Sequence, residues 1–388
     1  MKIVDVCAFY APRGGGVKTY IEHKLREGPA REHEIVVIAP GKEDRIELRG
    51  PLARIVWMQS PIFPLDSNYR FFADRDRLHA LLDAEAPDMV EVSSPWRSAS
   101  IIAGWRGATP KALIAHADPL SAFAYRWFGG VADRPTIDKG FDWYWRHLRR
   151  IDRDFDLVVS ASESLSARLR EGGLTKVVTN PMGVEAGVFS PLHRDERLRA
   201  DLLAQCGLPA EATLLLGVGR HSPEKRWEMV IGAATAAGGR APVGLVLVGG
   251  GRTHRRTAKA IAGNPHIVAL KPIADRPALA RLMASADALI HGCEAETFCF
   301  AAAEGLASGL PLIVPDEGGA SDQGRASAGY LYEASNPVAA TEAILRFVRD
   351  RAAGVSRAYA EPRTMAAHFD ALFAIYAQHV RRDERRRA

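Results

Sequence analysis

The chain has 388 residues, of which 47% are hydrophobic and 25% charged, with a formal net charge of +5. Those figures suit a soluble globular protein of two or three domains. Cys7, Cys206, Cys293 and Cys299 form no CxxC pattern, so no zinc site or disulfide framework is suggested and a reducing compartment is the default.

No run of about 18 apolar residues is present, so no membrane-spanning helix is expected. The opening Met1–Cys7 run is too brief for a signal peptide. The expected location is the cytoplasm, with the inner face of the membrane as an alternative. The positive excess suits an anionic substrate, an anionic membrane or a nucleic acid. Part of it lies in the tail from Arg381 to Arg387, five arginines against Asp383 and Glu384, best read as a solvated end.

Taken in chain order, the first half predicts strands at 2–9, 34–39, 89–92, 112–115 and 157–160. Helices fall between them at about 17–28, 71–84 and 97–104. Such alternation argues for a parallel sheet covered by helices. Gly14-Gly15-Gly16 follows the first strand and opens a helix, so it can bring backbone N–H groups close to an anion or sugar; a plain tight turn explains it equally well. Asp74-Arg75-Asp76 and Asp152-Arg153-Asp154 look like DxD metal motifs, but they lie in charged helical patterns that favour salt bridges.

Pro and Gly cluster from Asn180 to Pro191, where periodicity lapses, and mark a domain join. The second half repeats the grammar, with strands at 214–218, 244–249, 267–270, 288–290 and 312–314 and helices near 224–238, 275–285 and 298–308. The expected fold is therefore α/β, two tandem Rossmann-like doubly wound domains, with ligand bound in the cleft between them at the carboxyl ends of the strands. The segment Gly217–Arg226 follows a strand and opens a helix, and Arg220 and Lys225 within it suit a diphosphate, Arg as a planar fork and Lys as a point charge. Gly249-Gly250-Gly251 reads as another close backbone approach or a flexible turn.

The most informative stretch holds Glu296 and Glu304, eight positions apart, with Thr297, Phe298, Cys299 and an alanine-rich run between. A helix starting near Phe298 aims unpaired N–H groups and a positive dipole end at an anion, and Glu304 then lies about 9 Å along its axis. Phosphates at the helix start and sugar hydroxyls at the carboxylates fit this pattern, since a carboxylate accepts from hydroxyls and repels phosphates. Two solvated glutamates are the simpler alternative, weakened by the apolar residues between them. The implied ligand is a nucleotide-sugar.

Gly15-Gly16-Val17, His116, Asn180–Gly183 with Phe189 and Pro191, Gly219-Arg220 with Glu224-Lys225, and the Glu296–Glu304 block occur in order along nearly the whole chain. On these motifs the sequence resembles the retaining glycosyltransferases of family 4, of GT-B fold. The resemblance implies an acceptor-binding domain over 1–185, a nucleotide-sugar-binding domain over 186–362, and a segment 363–388 whose helix crosses back to the first domain before the basic tail. It implies that a hexosyl group passes from a UDP- or GDP-linked sugar to an acceptor hydroxyl, with retention. In the catalytic roles it places Arg220, Lys225, Glu296 and His116. Donor contacts would come from Gly15, Gly16, Gly219, Leu270, Lys271, Ile273, Phe298, Cys299, Phe300 and Glu304, with Glu304 at the ribose, Glu296 at the transferred sugar and 270–273 at the base. The family commonly has Gly where Cys299 stands and near Lys271, which bears on donor identity. No metal and no other cofactor are required, because Arg220, Lys225 and helix N-termini supply the positive field.

On the acceptor side, Arg13, Lys18, Trp96 and Arg97 are candidates. The aromatic and basic residues of 120–150 suit either a helical hairpin packed in the first domain or contact with an anionic membrane carrying a lipid-linked acceptor. The resemblance thus implies a part in cell-envelope, glycolipid or polysaccharide biosynthesis. A phosphorylase, hydrolase or epimerase on the same architecture is an alternative, as is a non-catalytic nucleic-acid-binding protein, although no nucleic-acid partner is favoured. A dehydrogenase is disfavoured because neither glycine run has GxGxxG spacing.

Overall fold

A computed structural model describes residues 1–10, 16–64, 68–355 and 362–387. The chain divides into two compact units, one made of Met1–Ala117, Asp133–Pro181 and Met365–Ala388, the other of Asp118–Ala132 and Met182–Thr364. Residues 118–132 thus pack with the second unit, although they lie inside the first half of the chain.

The first unit is built on eight strands: β1 (Lys2–Val6), β2 (Glu34–Gly41), β3 (Arg45–Gly50), β4 (Ala53–Gln59), β5 (Met89–Val92), β6 (Lys111–Ala115), β7 (Leu157–Ser160) and β8 (Val177–Thr179). Their order is β3-β4-β2-β1-β5-β6-β7-β8. All neighbours are parallel except β3 and β4. Central strands such as β2 are buried along nearly their whole length, which is why they read as continuous apolar runs. The antiparallel edge, β3, alternates Arg45, Glu47 and Arg49 with apolar residues, and its charges blunt an open edge. Strand β1 ends at Val6, three residues before the expected limit, because the chain turns after Cys7.

Two carboxylates interrupt the apolar strands of this sheet. Asp5 and Glu91 are fully buried and both engage the buried ammonium of Lys24, at 2.7 Å for Asp5. Ser93 Oγ donates to Asp5, and Tyr376 of the C-terminal helix Met365–Arg387 donates to Glu91 at 2.7 Å. Met365, Phe369, Leu372, Phe373 and Tyr376 form one buried stripe of that helix, and Phe369 packs on Tyr20 of the helix Gly16–Glu27. The polar cluster therefore ties the end of the chain to the central strands of its unit.

The second unit carries β9 (Thr213–Val218), β10 (Val243–Val248), β11 (Ile267–Leu270), β12 (Ala288–Ile290), β13 (Leu312–Pro315) and β14 (Tyr330–Tyr332), all parallel, in the order β11-β10-β9-β12-β13-β14. Leu215, Leu245, Leu247, Ile290 and Ile313 meet Trp227, Val230 and Ile231 of the helix Trp227–Gly238 in one core. This order reverses between β9 and β12, so the loops leaving those two strands diverge and leave room at their carboxyl ends. No helix among the described residues is long and apolar enough to cross a membrane.

Both DxD look-alikes are structural. Asp74 caps the helix Arg75–Glu85 by accepting from Arg77 N at 3.0 Å. Asp152 is buried and accepts from the backbone of Thr175 and Lys176.

Candidate active site

The loop after β9 runs Gly219 to Arg226 and is pinned at several points. Trp227 Nε1 donates to the Arg220 carbonyl at 2.9 Å, and the Trp227 ring lies in the core. A Cβ on Gly249 would meet the Gly219 carbonyl oxygen at 1.9 Å, so the glycine run 249–251 is explained by the packing of two loops against each other. Arg226 adopts a left-handed conformation, φ 50°, and its Nε donates to both oxygens of Glu294 at 2.9 and 2.7 Å. That fork joins the loop after β9 to the loop after β12.

With the loop held, Lys225 lies on Glu296, to which its ammonium donates. His291 Nε2 contacts the same Glu296 oxygen at 3.1 Å. Burial alone would raise the Glu296 carboxyl, but the charge of Lys225 and the contact with His291 outweigh it and hold the group far below the ordinary carboxylate range. For Lys225 burial acts downward, and the charge of Glu296 reverses it and holds the ammonium protonated. Arg220, by contrast, extends into solvent with its side chain 77% exposed, 3.8 Å from Glu224. One cation is thus seated and the other available to a ligand from outside.

The 294–299 loop is clamped by the helix Gly318–Ala326. Gly319 N donates to the Glu296 carbonyl at 2.7 Å, and a Cβ at Gly319 would stand 2.7 Å from the backbone nitrogen of Phe298. Gln323 Nε2 donates to the Phe298 and Cys299 carbonyls. Cys299 has φ 71° and caps the helix Phe300–Ala307, which begins two residues later than expected. Glu296 therefore stands in the loop ahead of the helix, and Glu304 lies only about 6 Å along the axis from Phe300 at 1.5 Å per residue. The first N–H groups of the helix still lack intrahelical acceptors and face whatever lies before it.

Glu304 is buried and accepts from Arg276 Nη1 at 2.8 Å, while the Arg276 guanidinium stacks 4.7 Å from the centre of the Phe189 ring. Burial raises the Glu304 carboxyl and Arg276 partly offsets it. Residues 270–273 are close by in the chain: β11 ends at Leu270, Lys271 is exposed, Ile273 is half-buried, and Arg276 opens the next helix. The Leu270 carbonyl accepts from Gly249 N at 3.2 Å, which fixes this peptide beside the glycine loop.

The remaining predicted residues lie in the first unit. Arg13 and Gly15 fall outside the described residues, whereas Gly16 opens a helix and Lys18 is on its first turns. His116 follows β6 with its ring edge-on to Tyr20 at 4.9 Å. Burial, with the charge of Lys24 and the nearby His368 adding to it, lowers the imidazole pKa to about 3, which makes the ring a weak base. Trp96 stacks on His147 and meets Tyr144, and the Arg97 guanidinium donates to the Phe72 and Ala73 carbonyls at 2.6 and 2.8 Å. Within 120–150, Tyr144 and Trp145 are core residues of the first unit, Phe123, Trp127, Phe128 and Trp143 are exposed, and residues 118–132 group with the second unit, so the segment is not one hairpin packed in the first.

Sequence reasoning misses Arg276, His291, Gly319 and Gln323. For Gly319 a signal exists in the Gly318-Gly319 pair after β13, and for His291 in a polar residue at the end of a buried strand. Arg276 and Gln323 look like any helix-surface residue.

Two doubly wound, mainly parallel sheets, one with a basic loop, an ion-paired carboxylate and a helix N-terminus at its carboxyl edge, define a glycosyltransferase of GT-B fold. Residues 199–363 match the family described as Glycosyl transferases group 1, and residues 14–187 match Glycosyltransferase Family 4. The chain belongs to the family 4 glycosyltransferases and is a hexosyltransferase. It is 31% identical to a GDP-mannose-dependent alpha-mannosyltransferase of Mycolicibacterium smegmatis, over 83% of this chain and 81% of the relative. It is 30% identical to a GDP-mannose-dependent alpha-(1-6)-phosphatidylinositol dimannoside mannosyltransferase of Mycobacterium tuberculosis, over 81% of this chain and 79% of the relative. Among solved structures, sucrose-phosphate synthase from Thermosynechococcus elongatus superposes with a TM-score of 0.68 at 20% identity, covering 99% of this chain and 98% of that one, a likeness of fold.

Proposed function

We propose that this enzyme transfers a mannosyl group from GDP-mannose to a hydroxyl of a glycolipid or polysaccharide acceptor, with retention at the anomeric carbon. The observation that carries the reading is the seating of Lys225 on Glu296, beside the start of the helix Phe300–Ala307 and the exposed Arg220. The names of the two mannosyltransferase relatives favour the guanine nucleotide and mannose.

In this reading Arg220 and Lys225 hold the diphosphate and stabilise it as the anomeric carbon–oxygen bond breaks. The acceptor oxygen attacks the same face, and its proton passes to the departing diphosphate. Glu296 accepts from hydroxyls of the transferred sugar, with Phe298, Cys299 and Phe300 offering backbone N–H groups. Glu304, held by Arg276, accepts from the ribose. Gly219 lets the loop approach the phosphates, and Leu270, Lys271 and Ile273 line the base. The positive field arises from side chains and a helix terminus, so the mechanism requires no metal.

The first unit would supply acceptor contacts, with Lys18, Trp96 and His116 as candidates, and His116 as a hydrogen-bonding group because its basicity is low. Contact with an anionic membrane would run through the exposed Phe123, Trp127 and Phe128. Proton NMR of the product formed from GDP-mannose and a mannosylated acceptor tests the reaction. An α-linked product supports it; a β-linked product, or release of free mannose at the same rate without acceptor, contradicts it.

A further inference from the structure

We propose that His291, Glu296 and Cys299 form a binding site for zinc(II), and that the bound ion excludes the sugar donor. The second half rests on the assignment of Glu296 and Lys225 to the donor. His291 and Cys299 are 1% and 3% exposed, and one potential ligand atom from each of the three residues lies within 4.8 Å of the others. Tetrahedral zinc with nitrogen, oxygen and sulfur ligands needs those atoms about 3.4–3.6 Å apart, so a modest inward shift of side chains closes the set.

The donor types are selective. An imidazole, a carboxylate and a thiolate suit zinc, whereas magnesium and calcium prefer oxygen ligands throughout. His291 is well placed to adapt: its Nε2 touches Glu296 at 3.1 Å, and its Nδ1 is buried without a hydrogen-bond partner. Its backbone is anchored by Tyr332, whose hydroxyl donates to the His291 carbonyl.

Charge also balances. In the metal-free chain the Glu296 carboxylate is neutralised by Lys225. On binding, the Cys299 thiol gives its proton to the buffer, and the dication meets one carboxylate and one thiolate, so the buried site is again neutral. Lys225 is then released from Glu296, because an ammonium kept beside the neutral metal set would leave a net positive charge in a largely buried site. Since Lys225 and Glu296 are assigned to diphosphate and sugar, an occupied metal site removes both from the donor. Zinc becomes a competitive inhibitor rather than a cofactor.

The test is a titration of the purified full chain with Co²⁺, read by cobalt–thiolate absorption, and with Zn²⁺ by calorimetry, in the absence of nucleotide. Wild type should show the thiolate band, and C299A and H291Q should each weaken binding at least about tenfold. K225M should bind the metal several-fold more tightly, a gain that misfolding cannot imitate. Zn²⁺, unlike Mg²⁺, should raise the apparent Kd for GDP-mannose in wild type, reversibly with a chelator. Equal metal affinity in wild type and C299A, or no thiolate band, overturns the site. Metal binding that leaves the donor Kd unchanged overturns the exclusion. Failure of GDP-mannose to bind metal-free enzyme overturns the donor reading instead and leaves the metal titration standing.

Discussion

Lys225 and Glu296, 71 positions apart in the chain, form an ion pair at the carboxyl edge of the second sheet. In the proposed reaction they serve different parts of one donor, so the pair keeps both charges neutralised until the ligand arrives. Replacing Lys225 by Met removes the cation that stabilises the leaving diphosphate. Turnover of GDP-mannose should fall about 100- to 1,000-fold, the usual loss when one such electrostatic donor is removed. Steady-state kinetics would show it in kcat, and an unchanged kcat would contradict the role.

The two glutamates should separate in their effects. Glu304→Ala is expected to weaken GDP binding about tenfold or more, the loss of charged hydrogen bonds to hydroxyls. Glu296→Ala is expected to impair transfer while GDP itself binds nearly as before. Calorimetry with GDP checks both, and equal loss of nucleotide affinity in the two variants would overturn the division of roles.

The loop that carries Glu296 depends on glycine at 319, where a Cβ would stand 2.7 Å from Phe298 backbone. Gly319→Ala should cost about 1–3 kcal/mol of stability and lower donor affinity, because the chain at 296–299 must shift. A melting temperature and donor Kd equal to those of wild type would show that the contact does not matter.

Part of this site is legible in the amino-acid sequence alone. Arg220, Lys225, Glu296 and Glu304 are charged residues at strand ends or beside a small-residue helix, where a charge stands out against its apolar neighbours. The parallel sheets are equally readable, because buried strands such as β2 and β9 are unbroken apolar runs. Strand β3 is not, since an exposed edge with Arg45, Glu47 and Arg49 carries too weak an apolar period. Sequence pattern puts the helix start too early, at Phe298, because the left-handed turn at Cys299 leaves no mark in a residue that is not glycine. Lys24 is hidden for another reason: its partners Asp5 and Glu91 lie far apart in the chain, and only the pairing of β1 with β5 brings them together.

That buried cluster predicts a pH dependence. Burial, opposed by Lys24 and reinforced by Asp5, raises Glu91 to about 7, above the ordinary value of about 4.3. Between those values the folded chain holds a proton that the unfolded chain has lost, so this contribution to stability is complete below about pH 4.3 and is lost as pH rises through 7. Glu91→Gln keeps the shape and removes the titration. Melting temperatures from pH 5 to 8 should decline more steeply for wild type than for E91Q, and parallel curves would refute the assignment.

The central claim, that the second unit binds a guanosine diphosphate sugar, is tested most directly by thermal shift of the whole chain with GDP, UDP and ADP in turn. GDP at about 100 times its Kd should stabilise the protein by about 2.7 kcal/mol, with UDP and ADP giving less and E304A losing most of the effect. Equal shifts with all three would contradict the guanine preference. No shift with any of them would contradict the donor site itself.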